Sequence, residues 1–323
     1  MKSLPLLTKF RVAVCTVAIA AVCFAQASSV AAEALTWKFK SGDKLGYEIE
    51  MDMSQDIKVS DKNLSVKVVH RMWMTLAIGD VASDGTATIT QTVDRMSAEI
   101  TPPAEAGGGA VLKYDSKDGV KTDADKKDPA IAMMAPVFDA MVGKPIGMKV
   151  SPQGDVSDVK VPDAMIDAMK KSAFAQMSNL FTTDGIKQTA SRVIVPLPKG
   201  DAAEGKTWDS TMEVSVPMVG KQISKTDYKF VGTEELDGKK VAKIDLQVDS
   251  KFESEPKGQL KINIKEQKSD GAVYFDNTAG RVVSSSLQDK MTLELEVMGM
   301  KLDQVVTSII KLKQSNPDSG RDL

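Results

Sequence analysis

The sequence predicts an α+β protein built mainly from long antiparallel strands, arranged in one curved sheet or in two related meanders. Long stretches alternate apolar and polar residues, and this period of two indicates strands with one buried face. Two central stretches, residues 128–142 and 162–181, change to the period of a helix. Turn pairs such as Asp84-Gly85 separate the alternating stretches. We expect the two helices to pack on the concave side of the sheet.

The first 32 residues predict a signal peptide. Three basic residues lead into an apolar run over residues 12–24, and small residues follow it. Both cysteines, Cys15 and Cys23, lie in this run. The mature chain would therefore have no thiol for a disulfide or for catalysis. We expect an exported protein of the periplasm, the cell envelope or the extracellular space.

The charge balance narrows the choice of partners. Removal of residues 1–32 takes three of the 42 basic residues and none of the 44 acidic ones, which leaves 39 against 44, a net charge of −5. This balance disfavours nucleic acid and anionic membrane surfaces. No later apolar run is long enough to span a bilayer, so we expect no transmembrane segment in the mature chain. The expected partners are a hydrophobic small molecule or an envelope protein.

The order of these patterns predicts the domain organisation. After the signal peptide we expect a first β meander over residues 33–127, a helical insert with a hairpin over 128–190, a second β meander over 191–313 and a polar tail over 314–323. Residues 33–313 are expected to form one compact unit. In the second meander we expect strands over residues 260–264, 271–275, 281–287, 291–298 and 301–312.

The first predicted helix has recognisable ends. Asp128 suits the N-cap, because its carboxylate can accept hydrogen bonds from free amides of the first turn. Pro129 suits the first helical position, and Gly143 suits the stop. Pro136 lies inside the pattern and should kink or split the helix.

The two β regions share a local pattern. Gly205, followed three residues later by Trp208, repeats the arrangement of Gly42 and Tyr47, in which a glycine turn leads to an aromatic residue at the start of a long strand. This similarity predicts a divergent internal duplication.

These turns and the segments Val150-Ser151-Pro152-Gln153-Gly154-Asp155-Val156 and Phe275-Asp276…Gly280-Arg281-Val282 carry a family resemblance. The chain resembles the secreted, β-rich proteins of unknown function common in planctomycete-type bacteria. That resemblance implies export and a large antiparallel architecture, and it supplies no catalytic residues. More distantly, the pattern is similar to the curved half-barrel of periplasmic lipoprotein carriers, as an analogy of fold alone.

The methionines give the main binding hypothesis. The chain contains 18 of them, and many lie on the helical faces. Because methionine is flexible and polarizable, it can line an adaptable apolar cavity; ordinary core packing is the alternative. The residues predicted to line such a cavity are Met134, Phe138, Met141, Ile166, Met169 and Met177.

Other residues give weaker signals. His70 is the only histidine, and its apolar-phase strand position indicates packing rather than catalysis. The aspartates of residues 115–128 could suggest a cation site, but lysines interleave with them, so we interpret the run as a solvated charged loop. We expect no catalytic residues, no cofactor-binding residues, no metal ligands and no cofactor.

The sequence thus predicts an exported non-enzymatic protein that binds a hydrophobic or lipid-like ligand. The first alternative is a structural or protein-interaction module of the cell envelope with a fully packed core. The remote alternative is a hydrolase that acts through carboxylates, since 44 acidic residues make some close pairs inevitable.

Overall fold

A computed structural model describes residues 33–59, 62–104, 110–120, 129–171, 193–216, 220–254, 260–297, 300–317 and 319–320. These residues all belong to one compact unit, Ala32–Leu323. The predicted signal peptide and residues 172–192 lie outside the described residues.

The predicted α+β class is wrong, because the fold is nearly all β. The described residues contain fifteen strands and two short helices. The strands are β1 (Glu33–Ala34), β2 (Lys44–Val59), β3 (Lys62–Val81), β4 (Ala87–Thr101), β5 (Leu112–Asp115), β6 (Gly119–Val120), β7 (Pro145–Val150), β8 (Val156–Lys160), β9 (Asp201–Ala202), β10 (Thr207–Val216), β11 (Gly220–Leu236), β12 (Lys239–Ser254), β13 (Leu260–Asp276), β14 (Arg281–Val297) and β15 (Met300–Ser315). The helices are α1 (Pro129–Met141) and α2 (Asp163–Lys171).

Thirteen of the strands form one sheet in which every strand pair is antiparallel, in the order β10-β11-β12-β13-β14-β15-β2-β3-β4-β5-β6, with β7 on β4 and β8 on β7. Two meanders therefore lie side by side, and the last strand of the second, β15, pairs with the first strand of the first, β2. The strands β1 and β9 form a separate two-stranded sheet. This long-strand antiparallel arrangement agrees with that part of the prediction.

One face of the large sheet, here called the inner face, carries the main core. Buried side chains come from strands as far apart as β11, with Phe230, and β4, with Ile89. These strands are separated by many neighbours in the sheet, so the sheet must curve for both to share one core. Tyr47, which is fully buried on β2, donates its hydroxyl hydrogen bond to the Val282 carbonyl at 3.3 Å, and burial raises its pKa.

Two irregular segments fill the centre of this curve, and we call residues 35–39 and 193–197 the plug. Leu35, Trp37, Val193, Ile194, Val195 and Leu197 are all buried in the main core. The Trp37 indole N–H donates to the Val195 carbonyl at 3.0 Å, which joins the two segments. The plug therefore fills the centre of the main core, and the helices contribute Met165, Phe138 and Met141 to the same core.

The helices lie towards one end of the sheet. α1 contacts α2, β5 and β6, and its Ile131 and Ala135 form a second small core with Tyr114. The Tyr114 hydroxyl donates to the Asp139 carboxylate, and burial raises the Tyr114 pKa. The class prediction failed because helical periodicity identifies a helix locally, whereas the class depends on the balance of elements in the whole fold. The described residues contain fifteen strands and two short helices, and the plug fills the centre of the core.

Two of the segments that carried the family resemblance, residues 150–156 and 275–282, contact the plug. The backbone N–H of Trp37 donates to the Pro152 carbonyl at 2.9 Å, and the backbone N–H of Lys38 donates to the Gly280 carbonyl at 3.1 Å. Gly154 has a positive φ of 83°, and a Cβ there would lie 2.5 Å from the Val195 carbonyl oxygen. These motifs therefore close one end of the inner face.

Candidate functional site

Beyond the plug, the inner face changes from buried to half-buried. Strand pairing places alternate residues of β10 to β15 and of β2 on this face. Its half-buried apolar members are Met51, Met53, Met212, Leu246, Val248, Leu287, Met291, Val306 and Ile310. Farther along the same face, Val214, Leu293 and Gln304 are buried again. The half-buried region is therefore a band between two closed regions.

A cavity of about 210 Å³ lies in this band. Val195 of the plug and Tyr228 of β11 contribute to its wall, and the Trp208 ring stacks on the Tyr228 ring with centroids 5.5 Å apart. The Trp208 indole N–H donates to the Pro196 carbonyl at 2.9 Å, so the plug and the edge strand are joined. The rest of the lining combines apolar and hydroxyl side chains, among them Ser210, Met212, Ser224, Thr226, Leu246, Val248, Val273, Ser285, Leu287 and Ile310.

A polar row crosses the same face, and we call Ser224, Ser250, Gln267 and Asp289 the polar seam. The Ser224 and Ser250 hydroxyl oxygens are 3.1 Å apart. The Gln267 side-chain oxygen accepts a hydrogen bond from the Ser250 N–H at 2.8 Å, and its side-chain nitrogen donates to Asp289 Oδ1 at 2.9 Å. The seam therefore continues across four strands, β11 to β14.

The seam exists because the backbone pairing of β12 with β13 ends at Leu246 and Gly271. Past that point, side chains of β13 replace the ladder. The Ser269 hydroxyl accepts from the Val248 N–H at 3.2 Å, just as Gln267 accepts from Ser250. Buried N–H groups need acceptors, so these two polar side chains stabilise a place where the strands separate.

Asp289 is the charged member of the seam. It lies between Leu287 and Met291 along β14, and its neighbours across the strands are Ser269 and Ser308. Burial raises the Asp289 pKa, and the hydrogen bond from Gln267 lowers it to a smaller extent. Among the described residues, no lysine or arginine forms an ion pair with this carboxylate. The arrangement can hold a hydrogen-bond donor or a cationic group beside an apolar cavity.

The predicted cavity-lining residues are only partly placed by the structure. Phe138 is half-buried and its ring lies 5.3 Å from Tyr114 and 5.5 Å from His70, while Met141 packs against the main core. The remaining four have these positions: Ile166 is half-buried in α2, Met134 and Met169 lie in α1 and α2 with side chains outside the described residues, and Met177 lies outside them altogether. Whether these six residues line a ligand cavity therefore stays a prediction.

The other candidates take structural positions. His70 lies on the inner face of β3 against the Phe138 ring. In the acidic run, Asp115 accepts two hydrogen bonds from Arg95, at 3.0 and 2.6 Å, and Asp123, Asp125 and Asp128 lie outside the described residues. Within the part of the chain that the structure describes, no group of three His, Asp or Glu side chains is arranged to hold a metal ion.

A larger cleft of about 430 Å³ lies around Arg71, Trp73 and Arg95. Its charged groups already pair with one another: Arg71 contacts Glu50 at 2.9 Å, and Arg95 contacts Asp115. The guanidinium of Arg95 also lies 4.8 Å from the Trp73 ring centre. This cleft therefore has the character of a solvated charged surface.

Sequence reasoning missed Trp37, Gln267 and Asp289. Leu35, Trp37 and Phe39 alternate with polar residues, so the pattern indicated a buried side for Trp37 but not its position at the centre of the curved sheet. Gln267 and Asp289 gave a usable signal, because each is a polar residue at an inward position of an otherwise apolar strand face.

The comparisons with known proteins concern family and fold. A family described as "Family of unknown function (DUF6263)" matches residues 84–295, which agrees with the expected membership of a family without known function. No curated protein matches this sequence. No helix in the described ranges combines the length and hydrophobicity that a membrane-spanning segment requires.

Three solved structures show weak likeness. A structure concerning lipid–protein interactions in lipovitellin is 12% identical, with a TM-score of 0.44, 86% of this chain covered and 26% of that chain. DynF of the dynemicin biosynthesis pathway of Micromonospora chersina is 7% identical, with a TM-score of 0.23 and coverages of 88% and 86%. An outer membrane channel from Pseudomonas putida F1 is 5% identical, with a TM-score of 0.23 and coverages of 86% and 97%. This chain spans about a quarter of the lipovitellin chain, and likeness at this level carries no argument about function.

Proposed function

This chain belongs to DUF6263, a family of unknown function, and we propose that it is an exported, non-enzymatic protein that binds a hydrophobic or lipid-like ligand on its inner face. Export rests on the apolar run of residues 12–24 and its basic flank, which lie outside the described residues. The mass of the mature protein, measured after secretion, would test it. The planctomycete-type origin implied by the resemblance stays a prediction.

The observation that supports binding is the half-buried apolar band with its cavity of about 210 Å³. Ordinary core packing leaves few voids larger than a water molecule, so an apolar space beside half-buried Met212, Leu246 and Ile310 is what an apolar ligand requires. The hydroxyl groups of Ser210 and Thr226 add hydrogen-bonding partners without charge.

A cavity-filling variant tests the proposal. Ser210→Phe on the edge strand β10 adds a ring to the cavity wall, and binding of the neutral dye N-phenylnaphthylamine should weaken on the order of tenfold, which is roughly 1.4 kcal/mol. Thr211→Phe is the matched control, because Thr211 is exposed on the same strand and should leave dye binding unchanged. Equal binding by both variants and the original protein would refute the inner-face site.

Native mass spectrometry of protein purified from its own envelope, followed by lipid extraction, tests the natural ligand. We expect a bound small molecule that extraction removes. Recovery of no small molecule together with a stable partner protein would instead favour the interaction-module alternative. The hydrolase alternative gains no support from Asp289, because its neighbours in the described register are serines and apolar residues rather than a second carboxylate.

A further inference from the structure

The inner face provides a charged group at one end of an apolar space. Asp289 follows Leu287 by two residues on β14, so both side chains point to the inner face, and Leu287 belongs to the cavity wall. On β15 the corresponding neighbours are Ser308 and Ile310, and Ile310 also lines the cavity. Asp289 and Ser308 therefore lie on the inner face one inward position beyond the cavity wall, where the side chains of β14 and β15 change from apolar to polar.

The seam holds the Asp289 carboxylate in place. Gln267 uses its side-chain oxygen for the Ser250 N–H and its side-chain nitrogen for Asp289 Oδ1. An amide with both ends engaged cannot rotate without breaking a hydrogen bond, so the carboxylate has a fixed partner and a fixed orientation. Gln267 is the only donor to Asp289 that the described residues supply.

The polar groups around Asp289 on the inner face are hydrogen-bond acceptors or hydroxyls. A carboxylate accepts several hydrogen bonds, and one bond from Gln267 leaves acceptor capacity for a ligand. Ser269 and Ser308 flank it in register and can donate or accept. A head group rich in N–H donors and carrying positive charge complements this set, whereas an anionic head would meet a like charge.

We propose that Asp289 anchors the head group of the bound ligand, and that the ligand class is an amphiphile with a protonated amine at its head and an apolar tail in the cavity. This inference rests on the proposed function and adds the chemistry of the ligand. Charge pairing in a half-buried place is stronger than in water, because fewer water molecules compete for the two charges.

Calorimetric titration of the purified protein with octylammonium, octanol and octanoate tests the inference. These probes share one tail and differ in the charge of the head. Octylammonium should bind at least about tenfold more tightly than octanol, since a hydrogen bond to a charged group contributes more than 1.4 kcal/mol. Octanoate should bind more weakly than octanol.

Asp289→Asn keeps the size of the side chain and removes its charge. The octylammonium Kd should then rise to that of octanol, while the octanol Kd stays unchanged. Asp270→Asn is the matched control, because Asp270 is exposed on β13, and it should keep the preference for octylammonium.

The outcomes separate the two proposals. Binding of none of the three probes would overturn the proposed function itself. Binding of octanol without a preference for octylammonium, or an unchanged preference in Asp289→Asn, would overturn the head-group assignment alone. The order of the three affinities in the original protein requires no variant, so the inference can be refuted even if Asp289→Asn does not fold.

Discussion

Trp37 offers the sharpest test of the plug as the core of this fold. Its side chain is 2% exposed. The ring stacks on Phe39 with centroids 5.8 Å apart and meets Phe275 edge-on at 5.5 Å. Its indole N–H donates to the Val195 carbonyl at 3.0 Å. Trp37→Phe removes the hydrogen-bond donor, and Trp37→Ala removes the whole ring.

The contacts of Trp37 determine how far the free energy of unfolding should fall in each variant. Trp37→Phe removes the indole N–H that donates to the Val195 carbonyl. A buried carbonyl that loses its donor in this way lowers the free energy of unfolding by about 1–3 kcal/mol. Trp37→Ala also loses both aromatic contacts and leaves a cavity, so the free energy of unfolding should fall by about 3–5 kcal/mol.

Urea unfolding followed by circular dichroism measures both changes, provided that the slope with denaturant stays constant. Trp208→Phe is the comparison. Its indole makes the same type of hydrogen bond, to the Pro196 carbonyl at 2.9 Å, but the residue is half-buried on the edge strand β10. Water can replace the lost donor there, so we expect a loss of less than about 1 kcal/mol.

A plug that merely covers the sheet would give a different pattern. If Trp37→Phe lost no more stability than Trp208→Phe, the hydrogen bond between the two plug segments would not contribute as argued. If Trp37→Ala lost less than about 2 kcal/mol, the residue could not be part of a close-packed core.

Three further predictions concern the turns and the charged groups. Gly205→Ala, at φ 87° with open space around the site, should lower the free energy of unfolding by about 1–2 kcal/mol through backbone strain. Gly154→Ala, at φ 83° and in contact with the plug, should lower it by about 1–3 kcal/mol more in the same urea assay. Equal losses in the two variants would contradict the contact between Gly154 and the plug. Arg95→Ala should cost about 3 kcal/mol, because it removes both guanidinium hydrogen bonds to the largely buried Asp115 carboxylate. Adding Asp115→Asn should recover part of this loss in a double-mutant cycle, and no recovery would show that the loss does not come from the Asp115 charge. Burial raises the Asp289 pKa in the folded state, so the free energy of unfolding falls as pH rises from the ordinary carboxyl range through the raised pKa. Asp289→Asn should therefore stabilise the protein at neutral pH but not at about pH 3, where the carboxyl is protonated in both the folded and the unfolded state. A gain in stability that is the same at both pH values would contradict burial as the cause.

The strand predictions succeeded and failed for one physical reason. Over residues 44–59 the inward positions are occupied almost entirely by apolar residues, and one unbroken strand, β2, forms there. In the second meander, predicted strands over residues 260–264 and 271–275 are one strand, β13, and those over 281–287 and 291–298 are one strand, β14. The gaps in the apolar pattern coincide with Gln267, Ser269 and Asp289, the inward polar residues around the seam. The residues that hid the strands are therefore the residues of the candidate site.

The sequence by itself determined the local structure: the period of two specified long strands and their buried faces, glycine turns specified where strands reverse, and the period of a helix specified α1 and α2. Only the tertiary structure decided what fills the curved sheet. The alternation of Leu35, Trp37 and Phe39 indicates a buried side but no partner, and Trp37 meets Val195 across 158 residues of chain. The seam likewise joins Gln267 to Asp289 across 22 residues through strand register. Contacts of this kind depend on the curvature and register of a whole sheet, because they join positions that no local pattern relates.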